Sequence, residues 1–131
     1  MNPPTCGLVL APRRLVAVLL GSGGEARRAI RAALTDEARY GLVAYLTASG
    51  AQVVAAETLV RGDPVACHAL RAGLIVWAAP DALVGAVARA AAITDPARVA
   101  AMLARLPSVP LLRAQLRRLT TATEPRQVPL L

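Results

Sequence analysis

The chain has 131 residues, a formal net charge of +7 and 56% hydrophobic residues, but only three aromatic residues. This length fits one domain, and two distant cysteines with a single histidine exclude the common zinc and thiol-redox motifs. No apolar run reaches the roughly 18 residues of a membrane span, so we expect a cytoplasmic protein with two buried, reduced thiols and no membrane partner.

The first third of the chain predicts a β-meander. Residues 6–12 and 13–21 are short apolar runs joined by a turn at Pro12, and the glycine-rich sequence GSGG follows them. Residues 26–34 are ambiguous, because their composition favours a helix whereas their place after a hairpin turn favours a third strand. We predict three strands here, after a loose arm over residues 1–5.

The middle of the chain predicts a helix and then a βαβ unit. The helix spans residues 37–49, with Thr35 or Asp36 as its cap and Gly50 at its end. Residues 51–59 and 74–80 are apolar runs typical of parallel strands that are covered on both faces. Between them, Asp63 and Pro64 begin a helix that Gly73 closes.

Two further helices and a basic segment are predicted after the βαβ unit. Asp81 caps a helix that runs to about residue 92, and Asp95 with Pro96 begins another that runs to residue 106. Residues 109–119, VPLLRAQLRRL, form a short basic amphipathic segment with helical spacing. We therefore predict one α/β domain over residues 1–119 and a flexible tail over residues 120–131.

This order of elements resembles the ribonuclease H-like fold, with a three-strand meander followed by βαβ units around a central mixed sheet. The sequences of four segments resemble the N-terminal RuvC-like domain of the DEDD insertion-sequence transposases. They are CGLVLAP, RRLVAVLLGSGGE, DEARYGLVAYLTASGAQVVAAET and HALRAGLIVWAAPDALVGAVARAAAITDPARVAAMLARL. The similarity covers about residues 6–118 and consists mostly of Ala, Leu and Val patterning.

The resemblance implies a degenerate catalytic site. Glu57 matches the family's glutamate at a strand end, and Asp95 matches the first aspartate of its later helix. Val9 and Arg98 stand where the family has its other two aspartates. Because metal-dependent nuclease chemistry needs carboxylates to hold Mg²⁺, we expect neither activity nor a bound metal; if the acidic site is functional, Glu57 and Asp95 would bind Mg²⁺.

Both surviving carboxylates also have structural explanations. Asp95 precedes a proline at a helix start, where its carboxylate can accept a backbone N–H, and Glu57 lies at a strand end that tolerates a charge. An active nuclease with the different set Glu25, Glu57 and Asp95 is a further alternative.

Partners are predicted from charge and hydropathy. All fifteen basic residues are arginines, and a net charge of +7 favours polyanions. Four arginines form the predicted stripe for sequence-nonspecific nucleic-acid binding: Arg105, Arg113, Arg117 and Arg118. A mean hydropathy of +0.50 and an Ala/Gly-rich face on the helix after Asp81 also predict a homo-oligomer. The alternative function is therefore a self-assembling or partner-binding module with no nucleic-acid role.

Overall fold

The computed structural model describes residues 3–120, in which a six-stranded mixed sheet is the central element. In chain order the strands are β1 (Thr5–Ala11), β2 (Arg14–Leu20), β3 (Ala26–Ala33), β4 (Gln52–Ala56), β5 (Val76–Ala79) and β6 (Arg117–Arg118). Across the sheet the order is β3-β2-β1-β4-β5-β6. β1, β4 and β5 are parallel, and the other pairs are antiparallel. This confirms the predicted α/β class and the mixed sheet.

The N-terminal meander is also confirmed. Residues 26–33 form a strand because β2 supplies a complete antiparallel partner, which outweighs their helical composition. The glycine-rich turn closes this hairpin through a hydrogen bond from the Gly21 N–H to the Glu25 carbonyl at 2.8 Å. Gly24 has a φ of +86°, a conformation in which a side chain would be strained. The predicted arm is shorter than expected, since β1 already begins at Thr5.

The described helices form two layers, one on each face of the sheet. They are α1 (Asp36–Ser49), α2 (Glu57–Gly62), α3 (Val65–Arg71), α4 (Asp81–Ala90), α5 (Pro96–Arg105) and α6 (Pro110–Arg113), with a 3-10 helix at Leu106–Ser108. Helices α1 to α3 pack on the face that carries Leu8 and Val53. Helices α4 and α5 pack on the opposite face, against Val9 and Val54. The alternation of these neighbouring residues places β1 and β4 between two apolar layers.

The predicted βαβ unit is correct in outline but not in detail. Its first strand ends at Ala56 rather than at residue 59, because Glu57 begins the unpredicted short helix α2. The predicted break at Asp63 separates α2 from α3, and Asp63 accepts the Val65 N–H at 3.0 Å as expected of a cap. Gly73, at a φ of +90°, then ends the turn after α3.

The predicted cap at Asp81 is wrong, and the predicted cap at Asp95 is correct in position but not in its hydrogen bond. The N-cap of α4 is Pro80, and the Asp81 side chain instead accepts hydrogen bonds from Thr58. Asp95 is the N-cap residue of α5, but its carboxylate accepts no capping hydrogen bond. By contrast, Thr35 caps α1 as predicted, with its hydroxyl oxygen accepting the Ala38 N–H at 3.2 Å.

Helix α5 lies directly on β1 because Gly7 has no side chain. A Cβ at Gly7 would collide with the carbonyl oxygen of Ala100 and would lie 2.7 Å from its carbonyl carbon. This close approach fits a core that is built from small aliphatic residues. Next to Gly7, the buried thiol of Cys6 has its pKa raised to about 12 by burial. Cys67 is also a free thiol but only half-buried, so the prediction of two buried thiols was wrong for this residue.

The predicted helical segment at residues 109–119 is wrong over most of its length. Helix α6 ends at Arg113, and the chain then turns and adds β6 to the free edge of β5. Leu116 and Leu119 are buried through this pairing, and the Leu119 N–H donates to the Val76 carbonyl at 2.9 Å. The pairing satisfies backbone groups of β5 that a helix would leave open.

The predicted flexible tail, residues 120–131, lies outside the described residues except for Thr120. Within residues 3–120, no helix is long and apolar enough to cross a membrane.

Candidate functional site

Glu57 lies where the sequence predicts it, immediately after the end of β4. Its carboxylate is paired with Arg117, whose Nη2 lies 2.6 Å from Oε2. Only 18% of the Glu57 side chain is exposed. Because the guanidinium already neutralises this carboxylate and donates to it, a metal ion would have to displace Arg117.

Asp81 is a second carboxylate at the carboxyl end of the parallel strands. The sequence analysis assigned it only as a helix cap and missed its place beside Glu57. The register pairs Ala56 with Ala79, so the residues that follow β4 and β5 lie side by side. Asp81 Oδ1 accepts the Thr58 hydroxyl at 2.7 Å, and this bond lowers the pKa of Asp81. Its Oδ2 lies 2.9 Å from Nη2 of Arg61. The signal available in the sequence was that Asp81, like Glu57, closely follows a short apolar strand.

The remaining predicted carboxylates are not assembled into a metal site with Glu57. Among residues 3–120 there is no group of three or more His, Cys, Asp or Glu side chains that could hold a metal ion. Glu25 follows the β2–β3 turn, beside the amino end of β1, whereas Glu57 follows the carboxyl end of β4. The two residues therefore lie at opposite ends of the parallel strands. This placement contradicts the alternative metal site formed by Glu25, Glu57 and Asp95.

The two positions that depart from the transposase pattern are unsuited to metal binding. Val9 is 8% exposed and belongs to the apolar cluster beneath α5. Arg98 is exposed on α5 and lines an apolar groove next to α4. Neither residue offers an oxygen ligand, and one of them would add a positive charge.

The four predicted arginines do not form a helical stripe, because α6 ends at Arg113. Arg117 and Arg118 are consecutive residues of β6, so their side chains leave opposite faces of the sheet. Arg117 extends to Glu57, and Arg118 lies opposite Trp77 in the strand register. The predicted grouping by helix spacing is therefore wrong. Arg105, Arg113 and Arg118 nevertheless lie close to one another around Trp77 and the cavity beside it.

Trp77 is the centre of this basic edge. The guanidinium carbons of Arg113 and Arg118 lie 5.7 and 5.9 Å from the centroid of its ring, within the range of cation–π attraction. Its indole N–H donates to Oε1 of Gln52 at 3.1 Å. Arg113 also lines a cavity of about 420 Å³ together with Arg105. We call Arg105, Arg113 and Arg118 the basic edge; all three are exposed.

His68 is a titratable side chain that belongs to no catalytic or metal-binding group among residues 3–120. Its ring lies against Tyr40, with centroids 4.7 Å apart, and its Nε2 is buried and accepts or donates no hydrogen bond within the described chain. Because no carboxylate or thiol is grouped with it as a metal site among the described residues, it offers no recognisable catalytic arrangement.

Comparison with known proteins identifies a structural neighbour but no sequence relative. No protein-family model and no curated protein matches the sequence. The solved structure of T. thermophilus RuvC in complex with a Holliday junction substrate is similar, with a TM-score of 0.62 and 11% sequence identity. The match covers 90% of this chain and 100% of the RuvC chain. At this identity the likeness concerns the fold, which is ribonuclease H-like as the sequence predicts.

Proposed function

We propose that this ribonuclease H-like domain binds nucleic acid without sequence preference and lacks the carboxylate chemistry of the transposases that its sequence resembles. The observation that carries the proposal is the basic edge, where three exposed arginines gather at one side of the sheet. A formal net charge of +7 adds a long-range attraction for phosphates. RuvC, which shares the fold, is described in complex with a Holliday junction.

The chemistry of the basic edge favours phosphate contacts over base contacts. A guanidinium can donate two parallel hydrogen bonds to a phosphate, which gives affinity but carries no sequence information. The ring of Trp77 is half-buried and is already engaged by Arg113 and Arg118, so it is a poor platform for base stacking. Binding is therefore weak, sequence-blind and strongly dependent on salt.

The loss of catalysis belongs to the same proposal. Glu57 and Asp81 stand at the carboxyl ends of parallel strands, where ligands of open α/β sheets commonly bind, but each is paired with an arginine. The descent from DEDD transposases is likewise proposed, on the matches of Glu57 and Asp95 and the departures at Val9 and Arg98. Under this proposal the protein needs no Mg²⁺ for binding.

The test is fluorescence anisotropy with a short labelled duplex at low salt. Replacing Arg113 and Arg118 with glutamine should weaken binding by about tenfold or more, because the loss of even one charged hydrogen bond to phosphate costs roughly 1.5–3 kcal/mol and 1.4 kcal/mol is about a factor of ten. The double variant Arg71→Gln with Arg89→Gln removes the same charge from exposed positions on α3 and α4. Equal losses in both variants would show that only net charge matters and would contradict a defined basic edge.

A second candidate is self-association, which an apolar groove between α4 and α5 favours. The groove has a volume of about 360 Å³, and its lining is mostly apolar: Val87, Ile93, Ala101, Met102, Leu106, Val109 and Leu112, with Arg98 and Arg105. Leu111, the neighbour of the groove residue Leu112, is 82% exposed. If the groove binds a second copy, light scattering should detect a dimer at tens of micromolar, equivalent to about −7 kcal/mol. A monomer at that concentration would exclude this candidate.

A further inference from the structure

A polar cavity lies at the amino end of the parallel strands, the end of the sheet that is far from Glu57. It is formed where β1 and β4 begin, next to the β2–β3 turn. Its volume is about 420 Å³, within the size range of small-ligand pockets. The polar side chains that line it are Thr5, Ser22, Gln52, Arg105, Ser108 and Arg113. In the turn over residues 21–24, the three glycines line the wall with their backbone, and Ser22 adds its side chain.

A chain of hydrogen bonds fixes which way the polar groups of this cavity point. The indole N–H of Trp77 can only donate, so the oxygen of the Gln52 amide must face it, at 3.1 Å. The amide nitrogen of Gln52 then donates to the Thr5 hydroxyl oxygen at 3.2 Å. Since that oxygen already accepts from Gln52, the hydroxyl hydrogen of Thr5 is left to donate to a further group.

The charges around the cavity agree with this polarity. Arg105 and Arg113 both line it, and no aspartate or glutamate is among its lining residues. Glu25 packs its carboxylate against the wall residues Gly21 and Gly23, so it places one negative charge beside the cavity against the two positive charges of the arginines. Arg113 is held over Trp77, so one indole ring positions both an arginine and the start of the donor chain. The cavity therefore presents fixed donors and positive charge, a combination that suits an anion with several acceptor oxygens.

We propose that this cavity binds a phosphomonoester dianion. The source of the phosphate is either the phosphorylated end of a nucleic-acid strand or a free mononucleotide; the first of these rests on the proposed function, because it places a strand end beside the basic edge. An internal phosphodiester carries one charge and two unesterified oxygens, whereas a terminal phosphomonoester offers three oxygens and close to two charges. The Thr5 hydroxyl and the two arginines can engage all three.

The experiment compares duplexes of one sequence that differ only in their ends, with 5′-phosphate, 3′-phosphate or hydroxyl termini. Anisotropy should show about tenfold tighter binding of one of the phosphorylated duplexes, the size expected for an added charged hydrogen bond. In parallel, calorimetry with inorganic phosphate and with adenosine 5′-monophosphate tests the free ligands. Saturable binding of the monophosphate supports the proposal even if no duplex binds, an outcome that would contradict the proposed function alone.

Three variants separate the cavity from general charge effects. Thr5→Val keeps the shape of the strand residue but removes the donor, and Trp77→Phe keeps a ring but releases the Gln52 amide; both should reduce monophosphate affinity by about tenfold. Thr5→Ser restores the hydroxyl and should recover most of the loss. The control Arg71→Gln, far from the cavity on α3, should bind monophosphate as the wild type does. Equal affinity for all duplex ends together with no saturable phosphate binding would overturn the proposal and leave the proposed function intact.

Discussion

Among the polar contacts of residues 3–120, the ion pair between Arg39 and Asp63 should be the most sensitive to substitution. Arg39 Nε lies 3.2 and 3.0 Å from the two carboxylate oxygens of Asp63, and Nη2 lies 2.9 Å from Oδ1. The Val65 N–H donates to the same carboxylate at 3.0 Å. The side chains of Asp63 and Arg39 are 4% and 12% exposed. The pair therefore joins α1 to the start of α3, with Asp63 buried and Arg39 half-buried.

Removing Asp63 should leave a buried guanidinium without its main partner. The hydrogen bond to Asp63 raises the pKa of Arg39. The guanidinium also stays charged without this bond, because an arginine side chain is not deprotonated in proteins. Breaking a buried pair in this way costs about 3–5 kcal/mol, a large share of the roughly 5–15 kcal/mol that stabilises a domain. The exposed pair of Arg39 with Asp36, whose side chain is 73% exposed, should contribute below about 1 kcal/mol.

The assay is urea unfolding of the full chain, followed by circular dichroism and by the fluorescence of Trp77. Asp63→Ala should lower the free energy of unfolding by about 3–5 kcal/mol, and the matched control Asp36→Ala by less than about 1 kcal/mol. The double variant Arg39→Met with Asp63→Leu should recover part of the loss, because it removes both charges. Two results would refute the view that the destabilisation comes from the unpaired charge of Arg39. They are a loss below about 1 kcal/mol for Asp63→Ala, and no recovery of the free energy of unfolding in the double variant.

Three further predictions concern packing, pH and catalysis. Gly7→Ala should destabilise the protein by about 1–3 kcal/mol or more in urea unfolding, since its Cβ would strike the backbone of α5, whereas Gly41→Ala on α1, with open space around it, should not. The bond from Thr58 lowers the pKa of Asp81 below its ordinary value of 3.8. The stabilisation from this hydrogen bond is therefore present above the pKa of Asp81 in the unfolded chain and is lost as the pH falls through the lower pKa in the folded protein. In Asp81→Asn, the free energy of unfolding should fall less steeply as the pH is lowered over this range. With Mg²⁺ or Mn²⁺, neither the wild type nor Val9→Asp should cleave supercoiled, branched or single-stranded DNA or an RNA–DNA hybrid; cleavage by the wild type in a gel assay would contradict the lost chemistry.

The parts of the fold that the sequence predicts well are those with local causes. Gly50 and Gly73 end helices because each adopts a positive φ, and such positions can be recognised from the residue type alone. The turn after β2 is recognisable from its glycines for the same reason. The β3 strand was ambiguous, because its Ala- and Arg-rich composition says nothing about the partner strand that decides its structure.

The parts that the sequence misplaces depend on distant partners. Residues 109–119 have helical spacing, but the open edge of β5 needs a strand, and the chain supplies β6 there. Glu57 could be placed at a strand end, whereas its partner Arg117 is 60 residues away and could not. The cation–π contacts of Trp77 with Arg113 and Arg118 have the same origin. Candidate residues were therefore found more readily than the arrangement that joins them.

The salt dependence of duplex binding tests the central claim most directly. Anisotropy titrations between about 50 and 200 mM salt should give a straight line of log K against log salt for the wild type. Replacing Arg105, Arg113 and Arg118 with glutamine should lower the magnitude of its slope by about 0.9 for each phosphate that is no longer neutralised, or nearly 3 in all. The matched triple variant with glutamine at Arg13, Arg71 and Arg89 should keep a slope close to that of the wild type. No detectable binding by the wild type at about 50 mM salt, or the same fall in slope in both triple variants, would contradict a nucleic-acid interface at the basic edge.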